Sequence, residues 1–275
     1  MEVLANLIVP SGAPDQDGLV VRVTPASAGW TYVGFEVYKL AAGRTLRRAT
    51  GDQEACLVLL SGKANVATEK AEFKEIGNRM NVFEGVPPYS VYVPAGDAYT
   101  VEALTDLELA VCLAPGKGGL PARLIAPSEV GVETRGYGHM RRFIHNILPE
   151  QEPAESLLVV EVFTPAGNWS SYPPHKHDVD DLPRESYLEE TYYHRVNPGR
   201  GFVLQRVYTD DRSLDEAMAV RDGDVVLVPR GYHPVSAPPG YASYYLNVMA
   251  GPVRTWKFHN DPDHAWLMTP PKEEE

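Results

Sequence analysis

The chain has 275 residues, and at about 150 residues per domain that is room for two modest domains or one large one. Twenty-five Lys and Arg against 37 Asp and Glu leave a net charge of -12. That balance excludes the basic face a nucleic-acid binder needs to displace counterions, and it disfavours an anionic membrane surface.

In chain order, the first residues, Met1 to Leu7, carry Glu2 and break at Pro10. They lack the basic end and long apolar run of a secretory signal, and no later run approaches the roughly 20 apolar residues needed to cross a bilayer. A cytoplasmic location is the expectation. With 24 Pro, 23 Gly and 15 Tyr, the chain reads as short apolar runs between turns. Strands are predicted over 31–39, 55–60, 90–93, 108–113, 157–163, 190–195, 202–208, 224–228 and 244–248. Cys56 and Cys112 fall inside two of these runs and read as buried free thiols. Ser213-Leu214-Asp215-Glu216 has capping-box spacing and predicts one short helix before Gly223. The final Lys272-Glu273-Glu274-Glu275 reads as a solvated tail.

A weak internal repeat is visible. An apolar strand runs into Pro94-Ala95-Gly96, and another runs into Pro229-Arg230-Gly231, about 135 residues later. That is near half the length, so two similar halves are predicted, 1–130 and 131–275, divided in the polar stretch around Ser128 and Glu129. Strands at this density indicate a sandwich or a barrel.

The most informative run is Trp169-Ser170-Ser171-Tyr172-Pro173-Pro174-His175-Lys176-His177. Residues i and i+2 of a strand face the same side, so His175 and His177 can aim both imidazoles at one point. His-x-His alone is a weak signal. Glu190 at the head of the next strand and His233 just past a sharp turn complete a set of three nitrogens and one oxygen, which suits a first-row divalent metal. Glu189 is adjacent, and only one of the two carboxylates can point into a barrel; the usual cupin pattern, which these residues resemble, favours Glu190 and leaves Glu189 facing outward as a solvated or salt-bridged residue. His194 shares parity with Glu190 and Tyr192, so it either reaches the cavity or caps the strand end. His139, His145, His259 and His264 have no partner spacing and read as ordinary structural or surface residues.

These residues carry a resemblance. Gly167, His175, His177 and Glu190 resemble the first cupin motif, and Gly223, Pro229, Gly231 and His233 the second, with its histidine one residue early. The first half looks like a second cupin domain without metal ligands, with Tyr99 where a histidine is expected and no His-x-His before Glu54. The longer runs from Trp169 to Asp178, Leu188 to Arg195 and Val228 to Val235 resemble the 5-deoxy-glucuronate isomerase family of bacterial inositol catabolism. That family is in turn similar to a ketol-isomerase acting on a pectin-derived deoxy-hexulosuronate.

The resemblance implies an all-β fold of two tandem cupin barrels with the metal in the C-terminal one. It implies conversion of 5-deoxy-D-glucuronate into 5-dehydro-2-deoxy-D-gluconate, an aldose–ketose isomerisation through an enediol(ate). The metal, held by His175, His177, Glu190 and His233, would be zinc first, with manganese and iron as alternatives, and no nucleotide cofactor is needed. The base is open among Tyr192, His194 and Glu189. Arg142, in the basic pair with Arg141, and Arg195 are candidates to hold the substrate carboxylate, though an exposed basic pair needs no such role. Partners are a small anionic sugar acid and, as a mild expectation, further copies of the chain. Two rivals stay open: a metal-dependent cupin dioxygenase and a non-catalytic sugar-acid-binding protein.

Overall fold

The computed structural model describes residues 6–270, so the acidic tail and the first five residues lie outside it. Among the described residues, helix is limited to one turn at Pro25–Ala28 and four short 3-10 segments. In the first half, a six-stranded sheet runs in the order Arg123–Ile125, Ser90–Val93, Gln53–Ser61, Leu107–Pro115, Gly34–Leu40, Leu19–Val23. It is joined by a four-stranded sheet of Thr45–Ala49, Ala98–Ala103, Ala64–Thr68 and Glu72–Ile76. The second half repeats the central order with Val225–Val228, Glu189–Asn197, Ala242–Ala250 and Leu158–Thr164. Its smaller sheet contains Trp169–Ser170, Val235–Ser236, Phe202–Tyr208 and Asp215–Arg221. These are tandem cupin barrels.

One edge strand crosses between the halves. Ile8–Val9, at the start of the first half, pairs with Val225–Val228 of the second, while Arg123–Ile125, near the end of the first half, pairs with Ser90–Val93 in its own sheet. The capping-box helix near Ser213 is absent. Thr209 and Ser213 instead close a turn around Asp211, and Asp215–Arg221 continues as a strand paired with Phe202–Tyr208. Capping chemistry and turn chemistry use the same residue types, and the tertiary partner decides between them. Cys56 and Cys112 are buried and unpaired by disulfide.

The two barrels pack through faces of their large sheets, so the central strands are buried on both sides and their sequences are near-continuous apolar runs. In Gln53–Ser61, Cys56, Val58 and Leu60 join the core shared by the halves, whereas Ala55, Leu57 and Leu59 fill the first barrel's interior. Polar groups in the shared layer are satisfied across it. Glu54 accepts the backbone N–H groups of Glu155, Ser156 and Leu157, and Glu189 accepts those of Thr31, Tyr32 and Val33. Register makes the two carboxylates equivalent: Ala55 opposes Val93, and Glu190 opposes Val228, immediately before the matched turns. Ala55, not Glu54, therefore stands where the second half has Glu190.

A deeper ion pair also joins the halves. Arg79 donates from both terminal nitrogens to Glu161 at 2.8 Å, and His145 Nδ1 and Tyr244 Oη donate to the same carboxylate at 2.7 and 2.9 Å. Burial alone pushes the Glu161 carboxyl up, but Arg79 and His145 outweigh it and hold the group below its ordinary value. A carboxyl depressed in the folded state contributes stability that is present above its unfolded value and lost as the pH falls. Arg79→Met should cost about 3–5 kcal/mol in urea unfolding at neutral pH, because it leaves Glu161 charged and uncompensated. The deficit should shrink as the pH falls through the ordinary value of 4.5 and protonation removes that charge; a pH-independent deficit would contradict the assignment.

Candidate metal centre

The four residues picked out by spacing converge inside the second barrel. His175 lies on the short strand His175–Lys176, held by pairing with His259–Asn260, and His177 comes directly after it. Glu190 enters from Glu189–Asn197, and His233 lies just past the Pro229 turn. That turn requires glycine at Gly231: its φ is +88°, and a Cβ there would sit 2.4 Å from the Tyr208 carbonyl oxygen. The ligand atoms of the three histidines lie within 4.8 Å of one another. Glu190 Oε2 is 3.0 Å from His177 Nε2 and 3.2 Å from His233 Nε2.

The rings are oriented from behind. His177 Nδ1 lies 3.1 Å from the Leu188 carbonyl oxygen and His233 Nδ1 lies 2.8 Å from that of Gly231. A carbonyl can only accept, so each Nδ1 donates, which leaves each Nε2 facing the shared centre, where it would be free to ligate a metal once the ring is neutral. His233 Nε2 is fully buried and makes no hydrogen bond. Burial pushes His233 down to about 4, and burial with the neighbouring His233 and His177 pushes His175 well below its ordinary value. Burial lowers His177 too, but the bond to Glu190 outweighs it and raises the group. Three imidazoles, one orphaned nitrogen and one carboxylate fit a first-row divalent ion.

A narrow inner chamber adjoins this set, lined by Ser171, Tyr192, Tyr245 and Asn247 together with His175 and Glu190. It opens toward a larger cavity of about 560 Å³ walled by Tyr137, Phe258, Leu267 and Met268, with Arg135 and Arg142 bordering both spaces. Arg142 donates to the carbonyl oxygens of Met140 and Tyr172, and its other N–H groups make no hydrogen bond among the described residues. Arg135 donates to Glu133, and its guanidinium lies 5.5 Å from the Trp256 ring centre. Tyr192 and Tyr245 flank Ser171, and burial raises both phenols above their ordinary values.

Three candidates border neither the chamber nor the larger cavity. Glu189 faces the first barrel, its carboxylate saturated by three backbone N–H groups, so it is neither a solvated residue nor a base. Arg195 pairs with Glu108 and Asp222 on that same side, away from the cavity, and is not free to hold a substrate carboxylate. His194 does point into the barrel, but its Nε2 bonds Gln205 at 2.8 Å, its ring packs against Tyr192 and Tyr245, and it lines neither space. Of the three bases considered, only Tyr192 borders the chamber. Arg135, Ser171, Tyr245 and Asn247 were missed. The last two share inward parity on Ala242–Ala250, a period-two signal that Tyr244 and the flanking apolar residues mask.

The KduI/IolB family matches residues 7–267. A protein of Geobacillus kaustophilus named 5-deoxy-glucuronate isomerase is 74% identical over 265 residues, covering 96% of each chain. The protein of that name from Bacillus subtilis strain 168 is 53% identical over 251 residues, covering 91% of this chain and 93% of its own. The crystal structure of an IolB-like protein from Salmonella typhimurium superposes with a TM-score of 0.94 at 55% identity, covering 96% of this chain and 100% of that one. Oxalate decarboxylase from Lactobacillus farciminis matches with a TM-score of 0.66 at 14% identity over 98% of this chain and 92% of its own, a likeness of fold alone.

Removing one imidazole should empty the centre without unfolding the barrel. His175→Ala and His233→Ala should each reduce bound metal from near stoichiometric to near none by elemental analysis, with a modest drop in melting temperature. Glu190→Gln should weaken metal binding. Glu189→Gln should keep the metal and instead lose about 1–3 kcal/mol of stability, because it disturbs three buried N–H acceptors. Metal loss in Glu189→Gln with retention in Glu190→Gln would reverse the assignment.

Proposed function

The chain belongs to the KduI/IolB family, and we propose that it is a 5-deoxy-glucuronate isomerase, interconverting 5-deoxy-D-glucuronate and 5-dehydro-2-deoxy-D-gluconate in inositol catabolism. The observation that carries this reading is the convergence of three imidazoles and a carboxylate at the inner end of a cavity bordered by two arginines. The identity to proteins named 5-deoxy-glucuronate isomerase supports the reaction, and the geometry is consistent with the roles that follow.

The substrate is a short sugar acid with an aldehyde at one end and a carboxylate at the other. Arg142, with donors to spare, and Arg135 beside it suit the carboxylate, and together they offset locally the protein's overall negative field. The aldehyde end then reaches the inner chamber. His175, His177, Glu190 and His233 would hold a divalent ion, zinc by preference because it is redox-silent; such an ion acts there as a Lewis acid on neighbouring carbonyl and hydroxyl oxygens. The reaction moves one hydrogen between adjacent carbons and one proton between adjacent oxygens, with no net oxidation. No separate nicotinamide or flavin is needed for that balance.

Metal-replete protein should form the ketose from 5-deoxy-D-glucuronate at the same rate with and without oxygen. No ketose would sink the isomerase reading, and oxygen-dependent turnover would favour a dioxygenase. Arg142→Gln should raise KM about tenfold to a hundredfold, the worth of one charge-assisted pair, with a smaller effect on kcat. An unchanged KM would remove Arg142 from the carboxylate site.

A further inference from the structure

Ser171 stands out in the backbone. Three non-glycine residues have positive φ among those described, and Ser171, at 48°, is the only buried one. L-residues adopt this region at a cost, and such strain persists where surrounding structure holds the residue in place. What the conformation achieves here is the position of one hydroxyl. Ser171 Oγ lies 2.9 Å from Tyr192 Oη and 3.3 Å from Tyr245 Oη. In both contacts either oxygen can donate, so the three hydroxyls form a chain with two polarities. All three residues border the inner chamber.

The same chamber is poor in bases. Among its described lining residues, the only carboxylate and the only imidazole are Glu190 and His175, which belong to the metal set. A chamber with a neutral hydroxyl chain and no spare base suits a transfer in which no side chain ionises.

We propose that Tyr192, Ser171 and Tyr245 form a hydroxyl relay that carries the oxygen-bound proton from the substrate hydroxyl to its carbonyl oxygen, while the carbon-bound hydrogen passes directly between the adjacent carbons as hydride. The inference rests on the isomerase reading and specifies its chemistry. The hydroxyl next to the aldehyde gives its proton to one end of the chain. Its oxygen lone pair closes the new carbonyl, and the C–H bonding pair migrates with its hydrogen to the aldehyde carbon. The aldehyde π pair becomes a lone pair on oxygen, which takes a proton from the other end of the chain. One carbon is oxidised, its neighbour is reduced, and every proton is accounted for. Each hydroxyl gives one proton and receives one; rotation about three C–O bonds restores the original polarity. This route differs from the side-chain base and enediol(ate) expected from sequence.

The test uses the metal-loaded protein and substrate deuterated at the hydroxyl-bearing carbon next to the aldehyde. In ordinary water the product should retain the label on its hydroxymethyl carbon; washout to solvent would overturn the hydride route and the proposal with it. Ser171→Gly, which relaxes the strained φ but lacks the hydroxyl, should lower kcat at least about tenfold, as should Ser171→Ala and Tyr245→Phe, with KM changed less than about twofold. The proton inventory of kcat in mixed H₂O and D₂O should be curved for the wild type and flattened in these variants. Wild-type kcat in Ser171→Gly would overturn the relay. So would kcat losses that track loss of bound metal across the three variants, since they would assign the hydroxyls a structural role. An inactive metal-loaded wild type would overturn the isomerase reading itself, whereas an active wild type with unaffected variants overturns the relay alone.

Discussion

A strand buried on both faces has two environments and no solvent, and Glu189–Asn197 is such a strand. Its even-numbered residues Glu190, Tyr192 and His194 point into the second barrel; Glu189, Tyr193 and Arg195 point toward the first. Its buried polar side chains therefore call for protein partners, because burying one without a hydrogen bond costs on the order of a few kcal/mol, and apart from the Thr191 hydroxyl they find them. The inward set finds a metal-type cluster and a chamber. The outward set finds the other barrel. Site and interface are two sides of one strand, which is why the second barrel's chemistry depends on the first barrel's packing.

The interface also explains how so acidic a chain tolerates buried carboxylates. Glu54 and Glu189, at equivalent positions of the two halves, each gather three consecutive backbone N–H groups from the opposite half. Charge-assisted bonds to backbone donors are the stronger kind, and here they also satisfy loop amides that would otherwise be orphaned. Glu161 uses a different solution, a two-pronged pair with Arg79 plus bonds from His145 and Tyr244. With the pairing of Ile8–Val9 onto Val225–Val228, these contacts make each half a structural part of the other.

Much of this was legible in the sequence because it is periodic or motif-borne. The short strands arise from apolar runs between Gly and Pro, and segments such as Phe202–Tyr208 and Ser90–Val93 fall where composition puts them. His175, His177 and His233 are given by parity and turn spacing, and Glu190 over Glu189 by the cupin pattern. What sequence cannot supply is the identity of the groups across a sheet. Glu189 reads as outward-facing, which is correct for its own barrel, but outward here means the neighbouring barrel rather than water. Arg195 shares that misreading, since its basic charge suggests a substrate anion until Glu108 and Asp222 are seen beside it. Ser213 failed for a local reason: its hydroxyl and that of Thr209 bond Asp211 in a turn, and pairing with Phe202–Tyr208 holds Asp215–Arg221 extended.

The divergence of the halves can be traced position by position. Where the second barrel has Glu190, the first has Ala55; counted from the matched turns, Ala98 stands where His233 does. Tyr99, the residue that marked the missing histidine, lies in an apolar cluster with Leu57, Leu59 and Val101 that fills the first barrel. Without the clustered ligands, that interior closes around apolar side chains and gains the burial energy that a polar chamber forgoes. The second barrel keeps its interior polar, holding Tyr192, His194, Gln205 and Asn247 in hydrogen bonds or ring contacts and Ser171 in a conformation serine disfavours. Such a cavity is costly to maintain in an isolated barrel of this size. Packed against a solid neighbour, through a shared core and reciprocal carboxylate bonds, it has a rigid wall on the side away from the cavity. The first half thus backs the strand that carries Glu190 and Tyr192 and holds it in register.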